Sequence, residues 1–155
     1  MHKFRKYRVV LLAVLIVLVL GFGSRVLAAD IILNDLNGKP VNLSRLTGKP
    51  VILFFWTTWC PSCRKTLNSL NQQYAEISKE GIIFFGVDVA EPVYKTERFF
   101  KGYALNFNVL LDVDGELADK YGLIGVPTFI FLNKDGKMVA QTYRWPANYK
   151  SLLTN

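Results

Sequence analysis

Val51-Ile52-Leu53-Phe54-Phe55 is an apolar run without alternation, and it leads directly into Trp56-Thr57-Thr58-Trp59-Cys60-Pro61-Ser62-Cys63. The run reads as a buried strand, and Arg64 to Lys79 beyond it reads as a helix. Cys60 therefore falls at a strand-to-helix turn, where unpaired N–H groups and the positive end of the helix dipole favour a thiolate. Cys63 follows one helical turn later on the same face, within reach of a disulfide at Cys60. Pro61 suits a first helical turn, where its missing N–H would have no partner anyway. These are the only two cysteines in 155 residues, and their placement is that of a reactive dithiol.

Two other uses of this spacing fit less well. A zinc site needs about four ligands, but there is no further cysteine and the single histidine, His2, lies in the basic N-terminal tail. A purely structural disulfide closing so short a loop restrains little of the unfolded chain. Redox chemistry is favoured, with no metal and no cofactor beyond the Cys60–Cys63 pair.

The length accommodates one ordinary domain and a targeting segment. The formal charge of +7 has a local origin: Lys3, Arg5, Lys6, Arg8 and Arg25 all precede the first acid, Asp30, leaving 14 basic and 12 acidic residues for the remainder. The basic excess flanks an apolar segment, so nucleic acid is not an expected partner. His2 to Arg8 is a positive n-region, and Val9 to Gly23 carries no charge. Residues 1–29 are read as an export signal or membrane anchor, with residues 30–155 as the folded domain outside the cytoplasm. A retained single span is favoured over cleavage at Val26-Leu27-Ala28, because the apolar run approaches a spanning length.

Ile31–Leu33 and Val41–Leu43 flank the turn signal Asn37-Gly38-Lys39-Pro40, predicting a hairpin. Ser44 is expected to cap a short helical turn ending at Gly48. Leu67, Leu70, Tyr74 and Ile77 recur at helical spacing up to a stop at Gly81. Ile82 to Val87 is a second buried strand ending at Asp88, which implies a parallel pair joined by the helix. Pro92 to Tyr103 is a predicted helix with Val93, Phe99, Phe100 and Tyr103 inward. Asn108–Leu111 is extended, Glu116–Tyr121 helical, Gly122–Thr128 a loop and Phe129–Leu132 a strand. Asn133-Lys134-Asp135-Gly136 then turns the chain into an antiparallel Met138–Tyr143, and Asn148–Leu153 is a terminal helix.

A strand, then W-C-x-x-C opening a helix, then Val126-Pro127-Thr128 before a hairpin, resembles the thioredoxin fold over about Ile31 to Leu153. The N-terminal signal, the extra hairpin before the central strand and the inserted Ala90–Asp114 resemble the membrane-anchored TlpA/ResA-like branch, which includes cytochrome c maturation thioredoxins. So do Leu111-Asp112-Val113-Asp114-Gly115, Tyr121-Gly122 and Trp59-Cys60-Pro61-Ser62-Cys63-Arg64. The resemblance implies an α/β, thioredoxin-like fold: a central mixed β-sheet flanked by helices, with an N-terminal β-hairpin and an insertion after the second core strand. It implies that Cys60 is the exposed nucleophile and Cys63 the resolving thiol. Pro127 would be a cis-proline facing the dithiol, Val126 would contact a substrate backbone, and Trp59 and Pro61 would shape the rim. The implied partners are disulfide-containing exported proteins, with apocytochrome c the favoured class, and a membrane electron donor of the CcdA/DsbD kind.

The chain departs from the family pattern at three positions. Phe54 stands where cytoplasmic thioredoxins carry a buried aspartate, and Thr66 and Asn68 stand where many ResA-like proteins carry glutamate and proline. Neither usual proton acceptor for the resolving cysteine is present. Three other functions remain to be weighed. The same dithiol run in reverse is a disulfide-introducing oxidase, which an extracytoplasmic compartment permits. A peroxiredoxin-like peroxidase wants proline and threonine seven and three positions before its cysteine; Thr57 matches but Leu53 does not. A non-catalytic thioredoxin-like binding module has no need of an intact C-x-x-C.

Overall fold

Burying every residue of Val51–Trp56 requires cover on both faces of a sheet, and the chain supplies it. The computed structural model describes residues 31–153. Strands β1 (Ile32–Asp35), β2 (Pro40–Asn42), β3 (Val51–Trp56), β4 (Ile83–Val89), β5 (Asn108–Asp112), β6 (Thr128–Leu132) and β7 (Met138–Thr142) form one sheet in the order β2-β1-β5-β4-β3-β6-β7. Helices α1 (Pro61–Lys79), α2 (Val93–Phe100), α3 (Glu116–Lys120) and α4 (Tyr149–Leu152) complete the described chain. β3 pairs in parallel with β4 and antiparallel with β6, and the expected hairpin β1–β2 extends the sheet antiparallel to β5. The mixed sheet flanked by helices is the thioredoxin-like fold that the sequence implied.

Successive strand residues point to opposite faces, so β3 divides its side chains between two cores. Ile52, Phe54 and Trp56 join Cys63, Leu67, Leu70 and Ile77 of α1. Val51, Leu53 and Phe55 join Leu117 and Ala118 of α3. All six β3 residues are at most 2% exposed. Phe54, in the position of the missing aspartate, stacks on Phe129 with ring centroids 4.8 Å apart. Gly86 makes room for Trp56: a Cβ there would lie 3.3 Å from the indole Nε1 and 3.2 Å from Phe107.

Several local expectations are corrected. The short 3₁₀ turn Leu43–Arg45 is capped by Asn42, whose Oδ1 accepts from the Ser44 N–H at 3.0 Å, and not by Ser44. α1 begins at Pro61, three residues before Arg64. α2 ends at Phe100 because Lys101 is extended and Gly102 has φ +80°, so Tyr103 lies beyond it. Val93 is 40% exposed, and Thr96 and Phe100, four residues apart, are the buried positions of α2. The predicted signal or anchor, residues 1–29, lies outside the described residues. Among the described residues no helix is long and apolar enough to cross a membrane.

Candidate active site

The register sets three segments side by side at one edge of the sheet. Trp56 at the end of β3 pairs with Asp88 on β4, and Phe55 pairs with Thr128 on β6. The loop Thr57–Cys60 therefore emerges between the chain leaving β4 and the chain entering β6. Carboxyl ends of parallel strands are the usual binding edge of such sheets.

Cys60 is the N-cap of α1, extended at φ −84° and ψ 109°, and its Sγ accepts from the Cys63 N–H at 3.2 Å. Pro61 fills the first helical turn, exposed to solvent, without sacrificing a hydrogen bond. Ser62 Oγ lies 3.3 Å from Cys60 Sγ. Cys60 and Cys63 are joined in a disulfide with their Cα atoms 5.2 Å apart. The expectation of an exposed Cys60 is corrected: it is 4% exposed, but Cys63 is wholly buried, so Cys60 holds what access there is. A disulfide placed here can be opened by an external thiol. The reduced Cys60 thiolate would then keep an N–H donor and the positive end of a 19-residue helix.

Val126-Pro127 is a cis peptide bond, immediately before β6 and half-buried. Thr128 Oγ1 donates to the Gly125 carbonyl at 2.6 Å and closes this loop on itself. Trp59 is 65% exposed, and it lines a cleft of about 570 Å³ together with Val126, Thr57 and Leu123. Ile124, on the same loop, is 86% exposed. The structure thus brings Trp59 and Val126 to one cleft beside the dithiol, whose lining also includes Asp114 and Asp119. Pro61 and Pro127 stand at the sheet edge but do not line that cleft.

Sequence reasoning missed a pair of buried carboxylates. Glu91, just past β4, accepts from the Thr58 N–H at 2.5 Å and from Thr58 Oγ1 at 2.8 Å, pinning the dithiol loop. Asp88 accepts from Thr96 Oγ1 of α2, and its other oxygen has no partner. Both are almost fully buried. Burial pushes the Asp88 carboxyl up to about 7. The Thr96 hydrogen bond opposes this, the neighbouring Glu91 carboxylate adds to it, and Lys95 opposes it weakly. The available signal was an aspartate, Asp88, within an otherwise apolar strand. Asp112 is a second missed anchor: its two oxygens accept from Leu117 N–H and Ala118 N–H at 3.1 and 2.9 Å and hold the start of α3.

The sheet order, the C-x-x-C at the start of α1 and the cis-proline loop define a protein of thioredoxin-like fold. Residues 25–141 match the AhpC/TSA family, and the chain belongs to that family. It is 38% identical over 112 residues to the thiol-disulfide oxidoreductase ResA of Bacillus subtilis, an alignment covering 72% of this chain and 63% of that protein. With the ResA of Bacillus thuringiensis the identity is 35% over 114 residues, covering 74% and 66%. The chain thus spans a little under two thirds of the length of these relatives. Among solved structures, a secreted Mycobacterium tuberculosis disulfide oxidoreductase homologous to E. coli DsbE is similar at a TM-score of 0.64 and 30% identity, over 81% of this chain and 92% of that one. StoA of Bacillus subtilis is similar at 0.67 and 27%, over 81% and 95%.

Proposed function

We propose that this protein is a thiol–disulfide oxidoreductase that reduces disulfides in exported proteins, apocytochrome c among them. It would act from the outer side of the cytoplasmic membrane, tethered by residues 1–29. The observation that carries the reading is the Cys60–Cys63 disulfide at the start of α1, with Cys60 alone retaining access, at the sheet edge that also holds Val126-Pro127. Similarity to proteins named thiol-disulfide oxidoreductase ResA, and to a secreted disulfide oxidoreductase, supports it.

The chemistry runs in two balanced exchanges. Cys60 thiolate attacks one sulfur of the substrate disulfide, forming a Cys60–substrate disulfide and releasing the other substrate sulfur as a thiolate. Cys63 then gives up its proton and attacks Cys60 Sγ, releasing the second substrate thiolate and closing Cys60–Cys63. Two electrons pass from the protein to the substrate. A membrane donor of the CcdA/DsbD kind would return them. Trp59, Ile124 and Val126 would seat the substrate chain, with Pro61 and Pro127 bounding the approach to Cys60.

Replacing Cys63 with serine removes the resolving step. The variant is expected to accumulate a mixed disulfide through Cys60 with an oxidised apocytochrome c peptide, visible as an adduct by intact mass. Failure to trap any disulfide-bonded peptide, with Cys60 verified as a free thiol, would overturn the proposal.

A further inference from the structure

On the side of the dithiol loop away from the Trp59 cleft lies a hollow of about 360 Å³, lined by Thr58, Arg64, Tyr94, Lys95, Arg98 and Phe99. Three of its six residues are cations, and all three are exposed. None of them forms an ion pair among the described residues, where the ion pairs are Lys79–Glu76 and Lys150–Glu80. Arg64 Nε donates to the Thr58 carbonyl at 2.7 Å, and its guanidinium carbon lies 5.9 Å from the Phe99 ring centroid. That contact fixes the charge at the rim without neutralising it. The carboxylates beneath, Asp88 and Glu91, are buried and turned to Thr96 and Thr58. Glu97, the exposed acid of α2, does not line the hollow. Tyr94 offers an aromatic face 60% exposed beside the cations.

Holding three like charges together with no ion-pair partner at the surface costs stability at low ionic strength and is relieved when an anionic surface docks. Arg64 lies four residues after Cys60 and its N–H donates to the Cys60 carbonyl, so the hollow begins one helical turn from the sulfur that an incoming chain must reach. An extended chain advances about 3.3 Å per residue, so groups roughly two to four residues from the partner's cysteine fall over the cations. The opposite rim carries Asp114 and Asp119 in its cleft, which places the acids on one side of that cysteine only.

We propose that this cationic hollow is a docking surface for a protein partner with a short acidic segment two to four residues from its reactive cysteine. Lys95 and Arg98 supply most of the attraction, because neither is committed to the dithiol loop as Arg64 is. The inference rests on the exchange reading above and specifies which disulfides that chemistry reaches fastest.

The test uses the full chain, reduced and freed of reductant, mixed with disulfide-bonded peptides. Two glutamates are placed on the N-terminal or the C-terminal flank of the reactive cysteine, and matched peptides carry lysines instead. At low ionic strength one glutamate placement is expected to react about fivefold or more faster than its lysine counterpart, a preference that 0.5 M salt largely removes. Lys95→Glu/Arg98→Glu should invert the preference, whereas Lys134→Glu/Lys137→Glu, the same charge change on the turn at the far end of β6, should not. Equal rates for acidic and basic peptides would overturn the docking surface and leave the exchange reading standing. No reaction with any peptide would overturn both. Binding to anionic phosphatidylglycerol vesicles that the Lys95/Arg98 variant loses, with peptide preference unchanged, would assign the cations to a lipid surface and overturn the acidic partner.

Discussion

Replacing Cys60 with serine is expected to lower thiol–disulfide exchange by about three orders of magnitude or more, the scale of losing a covalent nucleophile. A serine hydroxyl stays protonated near neutral pH and does not attack a disulfide. The helix N-terminus that favours a thiolate cannot bring an alcohol of far higher pKa into play. Cys63 is wholly buried beneath Cys60 and cannot substitute for it. Folding should be little changed, because a disulfide spanning three positions contributes little chain restraint. The decisive comparison is the rate with a disulfide peptide against the wild type, with circular dichroism confirming the fold. Residual exchange within tenfold of the wild type would mean that the accessible sulfur is not the nucleophile.

The second large effect is on stability, and its sign follows from Asp88. Burial raises this carboxyl from 3.8 to about 7, so between those values the folded protein holds a proton that the unfolded chain has released. Stability rises with pH only where the unfolded state binds more protons. Here the folded state binds more, so the Asp88 contribution is fully present below about pH 4 and is lost as pH climbs to about 7. The loss amounts to roughly 2–4 kcal/mol at one pKa unit per 1.36 kcal/mol. The groups facing Asp88 are Thr96 and Lys95 of α2 and Glu91 of the following loop. Asp88→Asn keeps an oxygen to accept from Thr96 Oγ1 and cannot ionise, so its stability should lack this decline. Urea unfolding of the oxidised protein at pH 5 and pH 8 tests it: the variant should gain on the wild type by about 2 kcal/mol or more between the two. An unchanged gap would mean that Asp88 titrates as an ordinary surface carboxylate.

The sheet and the dithiol were legible because their signals are local and redundant. Val51–Trp56 and Ile83–Val89 are too apolar to lie anywhere but in a covered sheet interior. The C-x-x-C falls where one strand stops and a helical period starts. The end of α2 was misread because the aromatic run Phe99-Phe100 with Tyr103 prolongs an apparent helical face past Gly102, whose φ of +80° breaks it. Thr96 carries no apolar signal of its own, and its burial goes with a side-chain partner eight positions earlier, Asp88. Glu91 and Thr58 are 33 positions apart, and nothing in either local sequence announces that they meet. The dithiol was thus readable from its neighbours in the chain, while the carboxylates and cations around it depend on which segments the sheet brings to the same edge.

That surrounding shell bears on the missing aspartate. With Phe54 stacked on Phe129, the core beneath α1 is apolar, and the buried carboxylates close to the loop stand at and just past the end of β4. The dithiol sits between a cleft beside Trp59 that carries Asp114 and Asp119 and a cationic hollow beside Arg64, an asymmetric setting.

Whether Cys60–Cys63 acts as a reducing dithiol is read from its reduction potential. Equilibrating the full chain in glutathione and dithiothreitol buffers and reading Trp59 and Trp56 fluorescence gives the value. The expected potential is near that of thioredoxin, about −270 mV, from which electrons flow to exported disulfides. A potential near −120 mV, that of a strong oxidant, would mean that the same pair introduces disulfides and is not a reductant.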